Sequence, residues 1–160
     1  MKTKSYKRMM GVTILASLLC TASIVWIMTQ SYFISTQSGE GCIHWHEDLY
    51  PVQLVIFIGR LLFKTSFYAL IMVFLAKQLK AIKNGVLFPS VNTRIIYAMA
   101  ACYFIGENCS DNISTSLLFE GNTASFVIDG DTWIYTAVLV VFAIMYNIAV
   151  KVSQENNLTI

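Results

Sequence analysis

The sequence predicts an all-α fold, an integral membrane four-helix bundle with both termini in the cytoplasm (N-in/C-in). Three observations carry that prediction. The 160-residue chain is 56% hydrophobic and 12% charged, with mean hydropathy +0.62, about half the charged fraction of a soluble domain. Four stretches approach the roughly 20 apolar residues needed to cross a hydrocarbon core about 30 Å thick. Lys and Arg also fall on alternate connections between those stretches. A chain this small cannot hide so much apolar surface from water, which excludes a disordered tail and an ordinary soluble enzyme. The net charge of +2 is too small to argue for direct nucleic acid binding.

The first span, 9–28, contains no charged residue and follows Lys2, Lys4, Lys7 and Arg8. A cleaved signal peptide has the same layout. Here the apolar run exceeds the usual signal core and no small-x-small site follows Trp26-Ile27-Met28, so a retained helix is expected. The outer loop, 29–51, gathers Glu40, Cys42, His44, His46, Glu47 and Asp48. Cys42, His44 and His46 are candidate zinc or copper ligands. Their spacing matches no standard site, and a polar loop flanked by interfacial Trp45 and Tyr50 is the alternative.

The second span, 52–76, carries Arg60 and Lys64, and the third, 95–118, carries Glu107 and Asp111. A lone charge near the bilayer centre costs about 2.5–3.5 kcal/mol on insertion scales, so these four need partners. Within each span the two charges are four residues apart and share a helix face. Counted from the inner ends at Ala76 and Ile95, Lys64 and Glu107 both stand about 18 Å up, and Arg60 and Asp111 about 24 Å up, at 1.5 Å per residue. An antiparallel hairpin therefore predicts a ladder, Lys64 with Glu107 and Arg60 with Asp111. Tyr103, Asn108, Ser110, Asn112 and Ser114 are available to complete its hydrogen bonds. The alternative ends the third span near Gly106, with Arg60 and Lys64 reaching upward to the interface.

Between these spans the inner loop, 77–94, begins as a basic extension of helix through Lys77, Lys80 and Lys83, suited to anionic headgroups. Asn84-Gly85 is expected to end it, because these residues tolerate the left-handed conformation of a helix C-terminus. Phe88 is an expected interfacial anchor, Pro89 blocks continuation of the helix, and Ser90 is an expected N-cap. The second outer loop, 119–132, holds Glu120, Asp129 and Asp131. The fourth span, 133–152, opens on Trp133 and Tyr135, and an inner tail, 153–160, closes the chain.

Of eleven Lys and Arg, four lie in the N-terminal tail, four in the inner loop (Lys77, Lys80, Lys83, Arg94) and one at Lys151. The other two are Arg60 and Lys64. None lies in either outer loop, and cytoplasmic loops are those that collect positive charge. The expected location is the cytoplasmic membrane, with multiple passes. Of the four cysteines, Cys20 and Cys102 read as small packing residues. Only Cys42 and Cys109 are placed to pair across the outer side, as a disulfide or as free thiols. No nucleophile elbow, metalloprotease motif or glycine-rich phosphate loop occurs, so no enzyme and no cofactor are expected.

Two segments, Lys83-Asn-Gly-Val-Leu-Phe88-Pro-Ser-Val-Asn92-Thr-Arg94 and the closing Glu155-Asn-Asn-Leu158-Thr159-Ile160, are similar to stretches of a bacterial membrane-protein family, the domain-of-unknown-function family numbered 2975. The resemblance implies a four-helix integral membrane protein with no assigned catalytic residues. It also implies a partner, a cytoplasmic helix-turn-helix regulator or another membrane protein. The apolar tail end at Leu158 to Ile160 suits a docking peptide. The expected role is therefore a non-enzymatic accessory or sensory protein of the lipid bilayer that acts through partners. The alternative is a small transporter or channel subunit, with the charged face of spans two and three lining a polar path.

Overall fold

Apolar runs without internal proline favour long helices, and the chain's turn residues set where they stop. The computed structural model describes residues 2–37, 42–43, 45, 47, 50–116 and 127–158. Four α-helices follow one another: α1 Lys2–Thr36, α2 Tyr50–Lys83, α3 Val91–Ser116 and α4 Gly130–Leu158. Each is longer than its predicted span at one or both ends. Pro51 stands in the first turn of α2, where its missing N–H has no helical partner to lose. Lys77 to Lys83 continue α2 as expected.

The stop after Lys83 is a Schellman turn. Val86 N–H donates to Ala81 C=O at 2.9 Å and Gly85 N–H to Ile82 C=O at 3.1 Å, while Gly85 takes φ +82°, the left-handed position that glycine accepts without strain. Pro89 lies between the helices. The entry to α3 departs from the expected serine cap, because the bonds seen there are main-chain. Asn92 N–H donates to Pro89 C=O at 3.0 Å and Thr93 N–H to Ser90 C=O at 3.2 Å. A side-chain cap appears instead at α4, where an Asp129 carboxylate oxygen accepts from the N–H groups of Asp131 (3.1 Å) and Thr132 (3.2 Å).

Pairs across the helices give an alternating, antiparallel order. Thr21 meets Met72 and Ser31 meets Arg60 between α1 and α2. Lys64 meets Glu107 and Gln78 meets Asn92 between α2 and α3. Between α3 and α4 the rings of Phe104 and Trp133 meet at a tilt, and those of Tyr103 and Tyr135 meet edge to face. One end of the molecule consequently gathers the described cations Lys7, Arg8, Lys77, Lys80, Lys83, Arg94 and Lys151. The other gathers Glu47, Asp129 and Asp131.

Among the described residues, close backbone packing joins α1 to α2, α2 to α3 and α3 to α4, and no other pair of helices. The expected bundle is therefore open: α1 does not meet α4, and α2 and α3 form the middle of a row. The core lies along the seams, with Ile96, Ala143, Tyr146 and Val150 packed beside Phe74 near the basic end. Ile43 and Ile113, with Ile34, Trp45, Ile56 and Phe57, form a second cluster at the acidic end. Outside the seams, Leu15, Leu18 and Leu19 of α1 and Ile134, Val138, Val141 and Met145 of α4 are exposed. So continuous an apolar exterior is foreign to a protein surrounded by water.

Three helices, α1, α2 and α4, are long and apolar enough to cross a membrane. The sequence expectation was four. The 26 residues of α3 give about 39 Å of helix, long enough to cross. Its composition is diluted by Asn92, Thr93, Arg94, Glu107, Asn108, Ser110, Asp111 and Asn112. The alternative placed 107–116 in an outer loop beyond a span ending near Gly106; these residues are helical instead, since α3 runs unbroken to Ser116.

Candidate functional site

The polar residues of the apolar helices collect in two nodes, one toward each end. At the acidic-end node, small residues let α2 and α3 approach closely. A Cβ built on Gly106 would lie 3.0 Å from the Lys64 backbone N, 3.1 Å from its Cγ and 3.3 Å from the Phe63 carbonyl carbon. One on Gly59 would lie 3.0 Å from Cys109 Sγ.

At that contact Lys64 Nζ lies 2.8 Å from Glu107 Oε2, with the side chains 18% and 31% exposed. This is the first rung that the depth arithmetic places there. The second rung takes another form. Arg60, 5% exposed, donates from Nη1 to Ser31 Oγ at 2.7 Å, from Nη2 to Gln30 Oε1 at 2.9 Å and from Nε to Ser110 Oγ at 3.4 Å. Its guanidinium thus joins α1, α2 and α3 through neutral acceptors, where pairing with Asp111 was expected. The Glu107 carboxylate reaches it electrostatically. Arg60 turns toward α1 because its flat fork of donors fits Gln30 and Ser31 on adjacent positions of that helix.

Asn112 is a third tie, and it acts along the chain. Its side-chain amide donates to Val127 C=O at 2.7 Å and accepts from Val127 N–H at 2.8 Å. It also donates to Asn108 C=O one turn back, at 2.7 Å. The segment entering α4 is thereby pinned to α3. Asn108 donates to Phe104 C=O within its own helix, and the side chain of Ser114 lies outside the described residues.

Toward the basic end, Gln78 is the centre of the second node. Its Oε1 accepts from Asn92 Nδ2 at 2.9 Å and Tyr146 Oη at 2.8 Å, while its Nε2 donates to Leu87 C=O at 2.5 Å. One amide therefore joins α2, the 84–90 turn, α3 and α4. Phe88, expected as an interfacial anchor, packs edge-on against Tyr146 at 5.7 Å. Beside it runs an open apolar groove of about 480 Å³, walled by Leu87, Phe88, Met145, Ile148 and Val152.

The remaining expected sites separate. Cys42 is buried, and His44 and His46 lie outside the described residues, as do Glu40, Asp48, Glu120, Thr159 and Ile160. Among the described residues no three His, Cys, Asp or Glu side chains are grouped to hold a metal ion. All four cysteines are free thiols, so the Cys42–Cys109 disulfide is not formed. Gln30, Ser31, Gln78 and Tyr146 were missed by sequence reasoning. The available signal was the presence of Gln30 and Gln78 at the edges of apolar runs, where an amide needs a partner.

The fold and the nodes define an all-helical protein in which three helices are suited by length and composition to cross a membrane. Compared with family models, with curated proteins and with solved structures, the chain matches none.

Proposed function

We propose that the chain is a four-span protein of the bacterial cytoplasmic membrane, with both termini inside, a non-enzymatic accessory or sensory component that acts through partners. The apolar exterior of α1 and α4 supports membrane residence. The cations gathered at the end holding both termini support the orientation. On this reading α3 crosses as the fourth span, shielded between α2 and α4. The resemblance of the 83–94 and 155–160 segments to the family numbered 2975 supports a partner such as a cytoplasmic helix-turn-helix regulator.

The observation that carries the accessory role is the use made of the interior polar groups. Arg60, Lys64, Glu107 and Gln78 are bonded from helix to helix. A transport path needs such groups to face water, and here they fasten the helices together. Cysteine-accessibility labelling in intact cells tests the orientation: a cysteine at Gly85 is expected to be shielded and one at Glu47 to react with a membrane-impermeant maleimide. In-cell crosslinking of the full chain, with and without residues 155–160, tests the role. A reproducible cytoplasmic partner that is lost with the tail supports it, and a homo-oligomer with no partner refutes it.

A further inference from the structure

The groove of about 480 Å³ walled by Leu87 and Phe88 owes its shape to the Gln78 node. Gln78 Nε2 holds the Leu87 carbonyl at 2.5 Å, and Gln78 Oε1 holds Tyr146 Oη at 2.8 Å. Tyr146 in turn braces the Phe88 ring at 5.7 Å. Both side chains that the 84–90 turn contributes are thus held in place by hydrogen bonding or ring packing. On the α4 side Ala149, the smallest lining side chain, sits among the bulkier Met145, Ile148 and Val152, and the lining ends on the hydroxyl of Ser153. From Met145 to Ser153 is a step of eight positions along α4, about 12 Å at 1.5 Å per residue. That length fits within one half of a hydrocarbon core about 30 Å thick.

The end of the molecule where the groove reaches Ser153 is cationic. Lys151 adjoins Val152, Lys83 closes α2 four positions before Leu87, and Arg94 lies in the first turn of α3; all three are exposed. Lys7, Arg8, Lys77 and Lys80 share that end, and Glu155 is the one described carboxylate there, so positive charge remains in surplus even with Glu155 paired. An apolar hollow with a polar mouth and cations around it is complementary to a lipid of net negative charge. A zwitterionic lipid gains the hollow without the charge, and a free anion gains the charge without the hollow.

We propose that this groove holds one acyl chain of an anionic phospholipid of the cytoplasmic leaflet, with the headgroup at Lys83, Lys151 and Ser153. The proposal rests on the membrane reading above and gives the basic end a specific lipid. In the test, the full chain in detergent micelles is titrated with an equimolar mixture of phosphatidylglycerol and phosphatidylcholine, and native mass spectrometry reads the bound lipid. Preferential binding of one phosphatidylglycerol is expected. Lys83→Gln combined with Lys151→Gln, both at exposed positions, is expected to weaken it roughly 10- to 30-fold. Ala149→Phe, which fills the groove and displaces several methylenes, is expected to weaken it roughly tenfold or more. Val138→Phe, at an exposed α4 position that does not line the groove, is expected to leave it unchanged. Equal binding of the two lipids, or phosphatidylglycerol binding unchanged in a folded Ala149→Phe chain, overturns the proposal. An unchanged preference in the double glutamine variant overturns it whether or not Ala149→Phe folds. Alkaline carbonate washing of membranes that contain the chain separates this failure from that of the membrane reading. A chain washed free overturns both, and a chain retained without a lipid preference overturns the proposal alone.

Discussion

Gly106→Ala is a sharp probe of the α2–α3 contact because the atoms it would strike are rigid. The new methyl would stand 3.0 Å from the Lys64 backbone N and 3.3 Å from the Phe63 carbonyl carbon. Comfortable separations start near 3.5 Å, so the two helices must part by roughly half an ångström, enough to forfeit a quarter to a half of each facing dispersion contact. Overpacking of this kind costs about 1–3 kcal/mol. Alanine returns up to about 1 kcal/mol of helix propensity. Gly11→Ala isolates that gain, since nothing lies within 4 Å of its new methyl. The expected result is a Gly106→Ala protein about 1–3 kcal/mol less stable than Gly11→Ala, read by reversible unfolding in mixed micelles with far-ultraviolet circular dichroism. Equal stability of the two variants would refute the close approach and, with it, the reason Lys64 and Glu107 meet.

Three further outcomes follow from the same contacts. Lys64→Leu and Glu107→Leu are each expected to destabilise by about 2–4 kcal/mol by stranding the partner charge, and the double variant to recover most of that loss; additive damage in the cycle would dismiss the pairing. Arg60→Met leaves the buried hydroxyl of Ser31 and the amide of Gln30 without their donor, at about 1–3 kcal/mol. Amide exchange in α1 near those residues should accelerate, and unchanged protection would contradict the three-helix tie. Gly85→Ala forces a side chain into φ +82° at about 1–2 kcal/mol, whereas Gly85→Asn should lose less. Comparable thermal midpoints for Gly85→Ala and the parent would argue against the Schellman stop.

The helices and their order were legible because apolar run length and turn chemistry are local. Asn84-Gly85-Val86 specifies its own stop, and the Lys64–Glu107 rung needed only two ends and a rise per residue. Arg60 shows where that arithmetic fails. Depth counting compared α2 with α3 alone, while the guanidinium had α1 equally within reach. The register of α1 depends on a fold-back in which Ile43 N–H bonds Ile34 C=O at 2.8 Å and Trp45 Nε1 bonds Ser35 C=O at 3.3 Å. No periodicity announces such a turn. The open row has a similar origin, since apolar stripes facing lipid and apolar stripes facing a neighbour read alike. Gly59 and Gly106 were passed over because a glycine's importance lies in what approaches it, which only the packed structure displays.

The composition of α3 bears on how the chain is made. On the membrane reading, this segment is tolerable to lipid because Lys64 lies against Glu107 and because α2 and α4 stand on either side. Threaded alone from a ribosome into a lateral gate, it would present two uncompensated carboxylates to acyl chains. Residues 84–90 are too few to let α2 drift away before α3 emerges. The nascent α2 would therefore wait at the gate and leave it as a hairpin with α3, so that the order of synthesis, as much as the final contacts, decides whether the protein is made.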